Sequence, residues 1–361
     1  MITKLAISGY KSIKKQEVQL AAINIIIGGN GVGKSNLISV FSLIRNLYEH
    51  NLRDYVIKKG GADSFLHFGK KNTQEIDVDI YFGDTEEDTN RFIVSLGEAQ
   101  DNLYIKTLKT GFYNGAWYIR QYENSKNESD FRDMRTGQAF WVNDRLKEFD
   151  VYHFHDTGDN SPMKGLCNVN DNKYLKRDGS NIAAFLYFLQ KKQPKHFHRL
   201  EKTIQSIAPF FERFELSPNR LNENQIQLEW KEAGALDSYF NAYHLSDGTL
   251  RFICLATLLM QPEPPKTIII DEPELGLHPI AINKLAGLIR KVSKTVQVII
   301  SSQSVNLVDN FEPEDILVAD REDRQSVFKR LDRDKLQLWL DEYSLGEVWE
   351  KNIIGGQPSN K

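Results

Sequence analysis

The chain has 361 residues, enough for one large domain or for a core carrying a substantial inserted lobe. Hydrophobic residues make up 40% and charged residues 26%, so a sizeable globular core can form. A net charge of −3 excludes a globally basic nucleic-acid binder, and two cysteines, Cys167 and Cys254, exclude a disulfide framework.

In chain order, Ile2 to Ser8 and Ala22 to Ile27 read as strands, the second continuously apolar as expected of burial on both faces. Gly28 to Gly33 breaks it, and Lys34 to Tyr48 then places Leu37, Ile38, Phe41, Ile44 and Leu47 on one face of a helix. Between 75 and 123 the pattern alternates, as in Ile76-Asp-Val-Asp-Ile-Tyr-Phe and Leu103-Tyr-Ile-Lys-Thr-Leu, which predicts an antiparallel sheet with one wet face. Residues 124–137 are polar and read as a loop, and helices are expected near Asn181 to Lys191 and Phe197 to Phe211.

Phe252 to Met260, with Cys254 as a core residue, is about the longest apolar stretch. It falls far short of the ~18 residues that cross a bilayer. The N-terminus lacks a signal-peptide layout, so a cytoplasmic protein without membrane contact is expected. Thr267-Ile-Ile-Ile-Asp271 and Val296 to Ser301 are β-branched runs separated by a helix over Pro279 to Val292, a βαβ unit with parallel strands. Asp315 to Asp320 reads as the last strand, with too few residues after it for a nuclease domain, and 355–361 has the composition of a disordered tail.

Gly28-Gly-Asn-Gly-Val-Gly-Lys-Ser35 fits G-x-x-x-x-G-K-[ST] between a buried strand and a helix. Successive backbone N–H groups from Asn30, Gly31, Val32, Gly33 and Lys34 through Ser35 and Asn36 can curl around phosphate oxygens, with glycine freedom needed at Gly31 and Gly33. The helix start directs its positive end at the same anion. Lys34 offers a cation to the β- and γ-phosphates, and the Ser35 hydroxyl can ligate Mg²⁺. Downstream, the strand ending in Asp271 and Glu272 offers one acid for Mg²⁺ and a second to orient or deprotonate water. Leu245-Ser246-Asp247-Gly248-Thr249-Leu250-Arg251 opens a helix where a hydroxyl and N–H groups can face an anion.

That order, P-loop, long insertion, Leu245 to Arg251, then Ile270-Asp-Glu-Pro-Glu-Leu-Gly-Leu-His-Pro279, resembles the RecF/SMC-type ABC ATPases. More narrowly it is similar to the stand-alone bacterial ATPases related to the ATPase part of OLD nucleases. Gly9-Tyr-Lys-Ser-Ile13 is similar to the family's opening Phe-Lys-Ser motif, Ser301-Ser-Gln-Ser-Val305 stands at its switch loop, and Glu342 to Trp349 fits the narrower group. The resemblance implies an α/β fold: a P-loop NTPase, ABC-type head with a mostly parallel core sheet, an antiparallel β arm and an inserted helical lobe. The corresponding boundaries are 1–74 for the first part of the head, 75–235 for arm and lobe, 236–354 for the second part, and 355–361 for the tail.

The resemblance further implies Mg²⁺ with ATP, Lys11 at the nucleotide, Glu272 as hydrolytic base and a homodimer of heads or a higher oligomer. Ser246, Asp247, Gly248 and His278 would then meet the nucleotide held by the other subunit. Gln303 stands where ABC ATPases usually carry His; it can hydrogen-bond a γ-phosphate but takes no charge, so slow turnover is expected. Gln74 and His67 are the candidates for the glutamine role near Mg²⁺, which stays unassigned. His153 and His155, like His196 and His198, lack a third ligand at zinc spacing and read as structural. Lys191, Lys192, Lys195, Arg199 and Lys202 form the best local patch for DNA or an acidic partner, although a solvated face is the simpler reading. Three functions stay open: a defence ATPase controlling a separate nuclease or toxin, a RecF-like repair or replication factor, and a binding module using ATP as structural glue. A transporter motor fits poorly, because the lobe between the P-loop and Leu245 is much longer than those motors carry.

Overall fold

The computed structural model describes residues 1–83, 90–234 and 240–357, and the chain divides into two units. The first comprises Met1–Val151, Pro265–Ile269 and Thr295–Lys361; the second comprises Tyr152–Pro264 and Ile270–Lys294.

The first unit opens with β1 (Ile2–Tyr10), β2 (Ile13–Gln19) and β3 (Ile23–Ile27), followed by α1 (Lys34–Tyr48) and α2 (Leu52–Lys58). The arm is β4 (Glu75–Phe82), β5 (Asn90–Ala99), β6 (Asn102–Tyr113) and β7 (Trp117–Lys126). Its alternation buries Ile76, Val78, Ile80 and Phe82 on one face, as the period-2 pattern requires. The sheet runs β2-β1-β4-β5-β6-β7 and is antiparallel throughout, with Leu5 opposite Ile80 and Ile7 opposite Val78. The N-terminal hairpin is therefore continuous with the arm, and no division falls at 74/75. The expected loop over 124–137 is borne out over 127–130 and 134–136 and shortened at both ends: β7 reaches Lys126, Phe131 is fully buried in a single helical turn, and α3 (Gly137–Leu146) then leads to β8 (Phe149–Tyr152). Asn143 of α3 ties this stretch down by donating to the carbonyls of Phe131 and Met134.

In the second unit lie β9 (Cys167–Asn168), α4 (Ile182–Lys192), α5 (Pro194–Gln205), β10 (Phe211–Phe214), β11 (Gln225–Ile226), β12 (Glu229–Glu232), β13 (Phe240–Asn241) and α6 (Asp247–Met260). The helix expected over Phe197 to Phe211 ends at Gln205, because Phe211 joins the three-stranded sheet β10-β12-β13 and stacks on Trp230. The lobe is thus helical with two small sheets, this one and the β9-β11 pair; the expected boundary at 235/236 lies outside the described residues.

Next come β14 (Thr267–Asp271), α7 (Pro279–Val292), β15 (Gln297–Ser302), α8 (Val305–Val308), β16 (Ile316–Glu322), β17 (Gln325–Arg330), α9 (Arg333–Leu340) and α10 (Leu345–Glu350). The core sheet has the order β17-β16-β3-β15-β14-β8, with β3 parallel to both β15 and β16. All five residues of β3 are buried, which is why it carries no alternation. The start of the expected disordered tail is ordered: Gly356 accepts a hydrogen bond from Gly29 N–H, and the Gln357 amide donates to Trp349 O. Residues 358–361 lie outside the described residues. Among the described residues no helix is long and apolar enough to cross a membrane.

Candidate active site

The P-loop leaves the end of β3 and closes on α1. Gly28, Gly31 and Gly33 all have positive φ, and Asn30 and Gly31 form an exposed tip while Val32, Gly33 and Lys34 are buried. Lys34 Nζ donates to the carbonyls of Gly28 at 2.6 Å and Gly29 at 3.0 Å, so its ammonium lies within the curl of the loop. Ser35 is exposed in the first turn of α1.

Behind the loop stands a relay absent from the sequence reading. Ser326 Oγ of β17 lies 2.6 Å from Val32 O and 2.6 Å from Ser12 Oγ, and Asn36 Nδ2 donates to Ser12 Oγ at 2.7 Å. A carbonyl only accepts and an amide nitrogen only donates, which orients both hydroxyls between them. The Val32–Gly33 peptide is planar and trans, so anchoring its carbonyl on Ser326 turns the Gly33 N–H the opposite way. A Cβ on Gly33 would stand 2.1 Å from Ser326 Oγ, so glycine is needed there for space as well as for its φ of 108°. Nothing local in Gln325-Ser-Val-Phe marks Ser326; it reaches the loop through the pairing of β17 with β16 and the hydrogen bond from its own N–H to Ser12 O at 2.8 Å.

Gln303 follows β15 directly, and its neighbour Ser302 pairs with Ile27, the residue before Gly28. Gln303 is exposed, and its flanking backbone is pinned by Ser302 Oγ, which accepts from Ser304 N–H, and by Ser304 Oγ, which caps α8 at Leu307. Lys11 has φ 45° and donates from Nζ to Ser39 Oγ at 3.0 Å. The ring nitrogen Nδ1 of His67 meets Lys11 O at 2.7 Å, so His67 braces backbone, and Gln74 is exposed.

In the second unit, Ser246 caps α6, its Oγ accepting from Thr249 N–H at 3.2 Å. Asp247 is exposed and lies 3.8 Å from Lys164 Nζ. A Cβ on Gly248 would stand 2.3 Å from Gly276 O: the start of α6 rests directly on the loop that follows Glu274. Arg251, buried in α6, holds that same loop through Leu275 O and also donates to Phe154 O at 2.9 Å and His155 O at 3.0 Å. Its burial lowers the guanidinium pKa, while Asp247 and Glu274 act in the opposite sense. Ser246, Asp247, Gly248 and the Leu275–His278 loop therefore form one assembly, bordered by exposed Leu275 and Ile280. His278 is exposed and caps α7, accepting from Ile280 N–H.

Glu272 has φ 43°, a left-handed backbone rare outside glycine, immediately after Asp271 ends β14. Such a conformation costs roughly 1–3 kcal/mol and gathers at functional positions, which sets Glu272 apart from the nearby Glu274. The Ser35 hydroxyl and Asp271 carboxylate are hard oxygen donors, and one or two such groups are what Mg²⁺ takes from a protein when phosphates and water complete its shell. Among the described residues no three His, Cys, Asp or Glu side chains gather as an ion cage. Lys191, Lys192, Lys195, Arg199 and Lys202 are all exposed on α4 and α5.

A family described as "AAA domain, putative AbiEii toxin, Type IV TA system" matches residues 23–309. Among solved structures, an Smc head bound to the C-winged helix domain of ScpA is similar at 17% identity, with a TM-score of 0.62 over 93% of this chain and 99% of that one. An Smc head with an extended coiled coil, bound to the C-terminal domain of ScpA from Pyrococcus furiosus, is similar at 16% identity. Its TM-score is 0.59, over 94% of this chain and 98% of that one. These likenesses concern the fold. No curated protein matches the chain.

Proposed function

The chain belongs to this AAA-domain family and has the fold of an SMC-type ABC ATPase head, and from that premise we propose that it hydrolyses ATP between two copies of itself. The observation that carries the reading is the P-loop, curled on left-handed glycines around the Lys34 ammonium and braced from behind by Ser326. Lys34 and the amides of Asn30 to Asn36 hold the phosphates, and Lys11 adds a second cation. Ser35 and Asp271 are the residues that would hold Mg²⁺, which would supply charge neutralisation on the phosphate oxygens. Glu272 takes the proton of the attacking water and Gln303 orients the γ-phosphate. Ser246, Asp247, Gly248 and His278 act on the nucleotide of the partner subunit. Exposed Leu275 and Ile280 beside the Ser246–Gly248 assembly support a seam there.

Glu272→Gln keeps shape and a hydrogen bond but accepts no proton. The variant should bind ATP normally, turn over at least about 10²-fold more slowly and accumulate as an ATP-bound dimer. Unchanged turnover would move the base elsewhere.

At the cellular level the proposal is a cytoplasmic ATPase of bacterial anti-phage defence that controls a separate nuclease or toxin. The family description, which names a type IV toxin–antitoxin system, supports a defence setting, and a solved Smc head bound to a domain of ScpA supports a separate protein partner. A host expressing the chain with its neighbouring genes should resist phage, and Lys34→Ala should remove that resistance. Equal resistance with the variant would overturn the defence role.

A further inference from the structure

Residues 355–357 fold back against the first two residues of the P-loop. Gly29 N–H donates to Gly356 O at 2.5 Å, Gly356 N–H points to Asp320 Oδ2 at 3.4 Å, and the Gln357 amide donates to Trp349 O at 3.2 Å. Asp320 and Val318 belong to β16, whose Val318 pairs with Ile27 at the end of β3. Gly355 and Gly356 have φ of 78° and 75°, so the turn needs two left-handed residues in succession. A Cβ on Gly356 would stand 2.9 Å from Val318 Cγ1 and 3.4 Å from Gly28 Cα.

The Gly28–Gly29 peptide joins this turn to the active site. It is trans and planar, so its N–H and C=O point in opposite directions. The N–H is held by Gly356, and the C=O receives Lys34 Nζ at 2.6 Å. One rigid plane thus links Gly356 on one side to the P-loop ammonium on the other. We infer that the Gly355–Gly356 turn positions Lys34, holding the Gly28 carbonyl where it keeps the ammonium ready for phosphate. This rests on the ATP-site reading above. Without the turn the peptide plane is free to rotate, and ATP binding itself must then order both the loop and the lysine.

The test uses the full chain with Gly356→Val, which displaces the turn, and Asp320→Ala, which removes its anchor without adding bulk. ATP affinity is measured by calorimetry, turnover by phosphate release and fold by nucleotide-free melting. Both variants should bind ATP more weakly, up to about tenfold for Gly356→Val, the upper end for one lost backbone hydrogen bond. KM should rise in step while kcat at saturating ATP stays within about twofold, because the lost energy is spent on binding. Unchanged ATP affinity in both variants, or a fall in kcat with KM unchanged, overturns the inference. So does a change confined to melting temperature. Lys34→Ala is measured alongside: if it too binds ATP normally, the ATP-site reading fails rather than the role of the turn.

Discussion

Lys11 lies 5.3 Å and 5.5 Å from the ring centres of Tyr10 and Phe65, and burial there, with the charge of Lys59 adding to it, pushes its pKa down to about 8. The consequences for folding and for ATP have opposite signs. Between pH 8 and the ordinary lysine value of 10.5 the folded chain has lost this proton and the unfolded chain has kept it, so this group makes stability rise with pH in that window. An anion needs the ammonium, so ATP affinity should fall as pH rises from about 7 to 9, and Lys11→Met should flatten that slope. A wild-type affinity independent of pH over that range would remove Lys11 from the nucleotide. Ser326→Ala is the second test at this scale. It strips Val32 O and Ser12 Oγ of their shared partner, and should cost about 1–3 kcal/mol of stability and weaken ATP binding, measured by urea unfolding and calorimetry. Lys34 and Ser35 were legible because the P-loop is a local motif. Ser326 was not, because its role depends on a contact spanning almost the whole chain.

Among the elements, α1 and α7 match their expected spans from Lys34 to Tyr48 and from Pro279 to Val292, since each shows a strong apolar stripe bounded by glycine or proline. β2 and β17 are not legible in the sequence: Ile13-Lys-Lys-Gln-Glu-Val-Gln buries only Ile13 and Val18, and edge strands of this kind carry charge instead of pattern. Gly355-Gly-Gln has the composition of a tail, yet its hydrogen bonds are tertiary and leave no local trace. The start of α6 is legible as a cap, but nothing local in the sequence gives Arg251 a role. Its guanidinium serves the carbonyls of Phe154, His155 and Leu275, joining α6 to two loops. Arg251→Met should cost about 3 kcal/mol, because buried carbonyls lose a charged donor. It should also abolish ATP-dependent dimerisation while leaving ATP binding to the monomer intact. Dimerisation at wild-type ATP concentrations would show that the Leu275–His278 loop is not part of the seam.

For the molecule as a whole, the P-loop belongs to one unit and Ser246 to Gly248 to the other, each built on its own scaffold. A P-loop alone grips phosphates from one side and leaves the γ-phosphate open to water. If Ser246 supplies the other side from a second chain, the symmetric arrangement is a two-fold dimer with two sites at one seam. Ser246→Arg sets a bulky cation at the cap of α6 without touching residues 28–36. This variant should bind ATP as a monomer but neither dimerise on ATP nor hydrolyse it. Lys34→Ala should fail for the complementary reason, having an intact Ser246 and no working P-loop. Mixed, the two chains can form one seam site that pairs the intact P-loop of one with the intact serine of the other. The opposite site carries both lesions. Phosphate release from the mixture should therefore exceed that of either variant alone, up to about half the wild-type rate per dimer if the two sites act independently. A mixture as inactive as its parts, with hetero-dimers demonstrated by differently tagged chains, would mean that each active site is completed within a single chain.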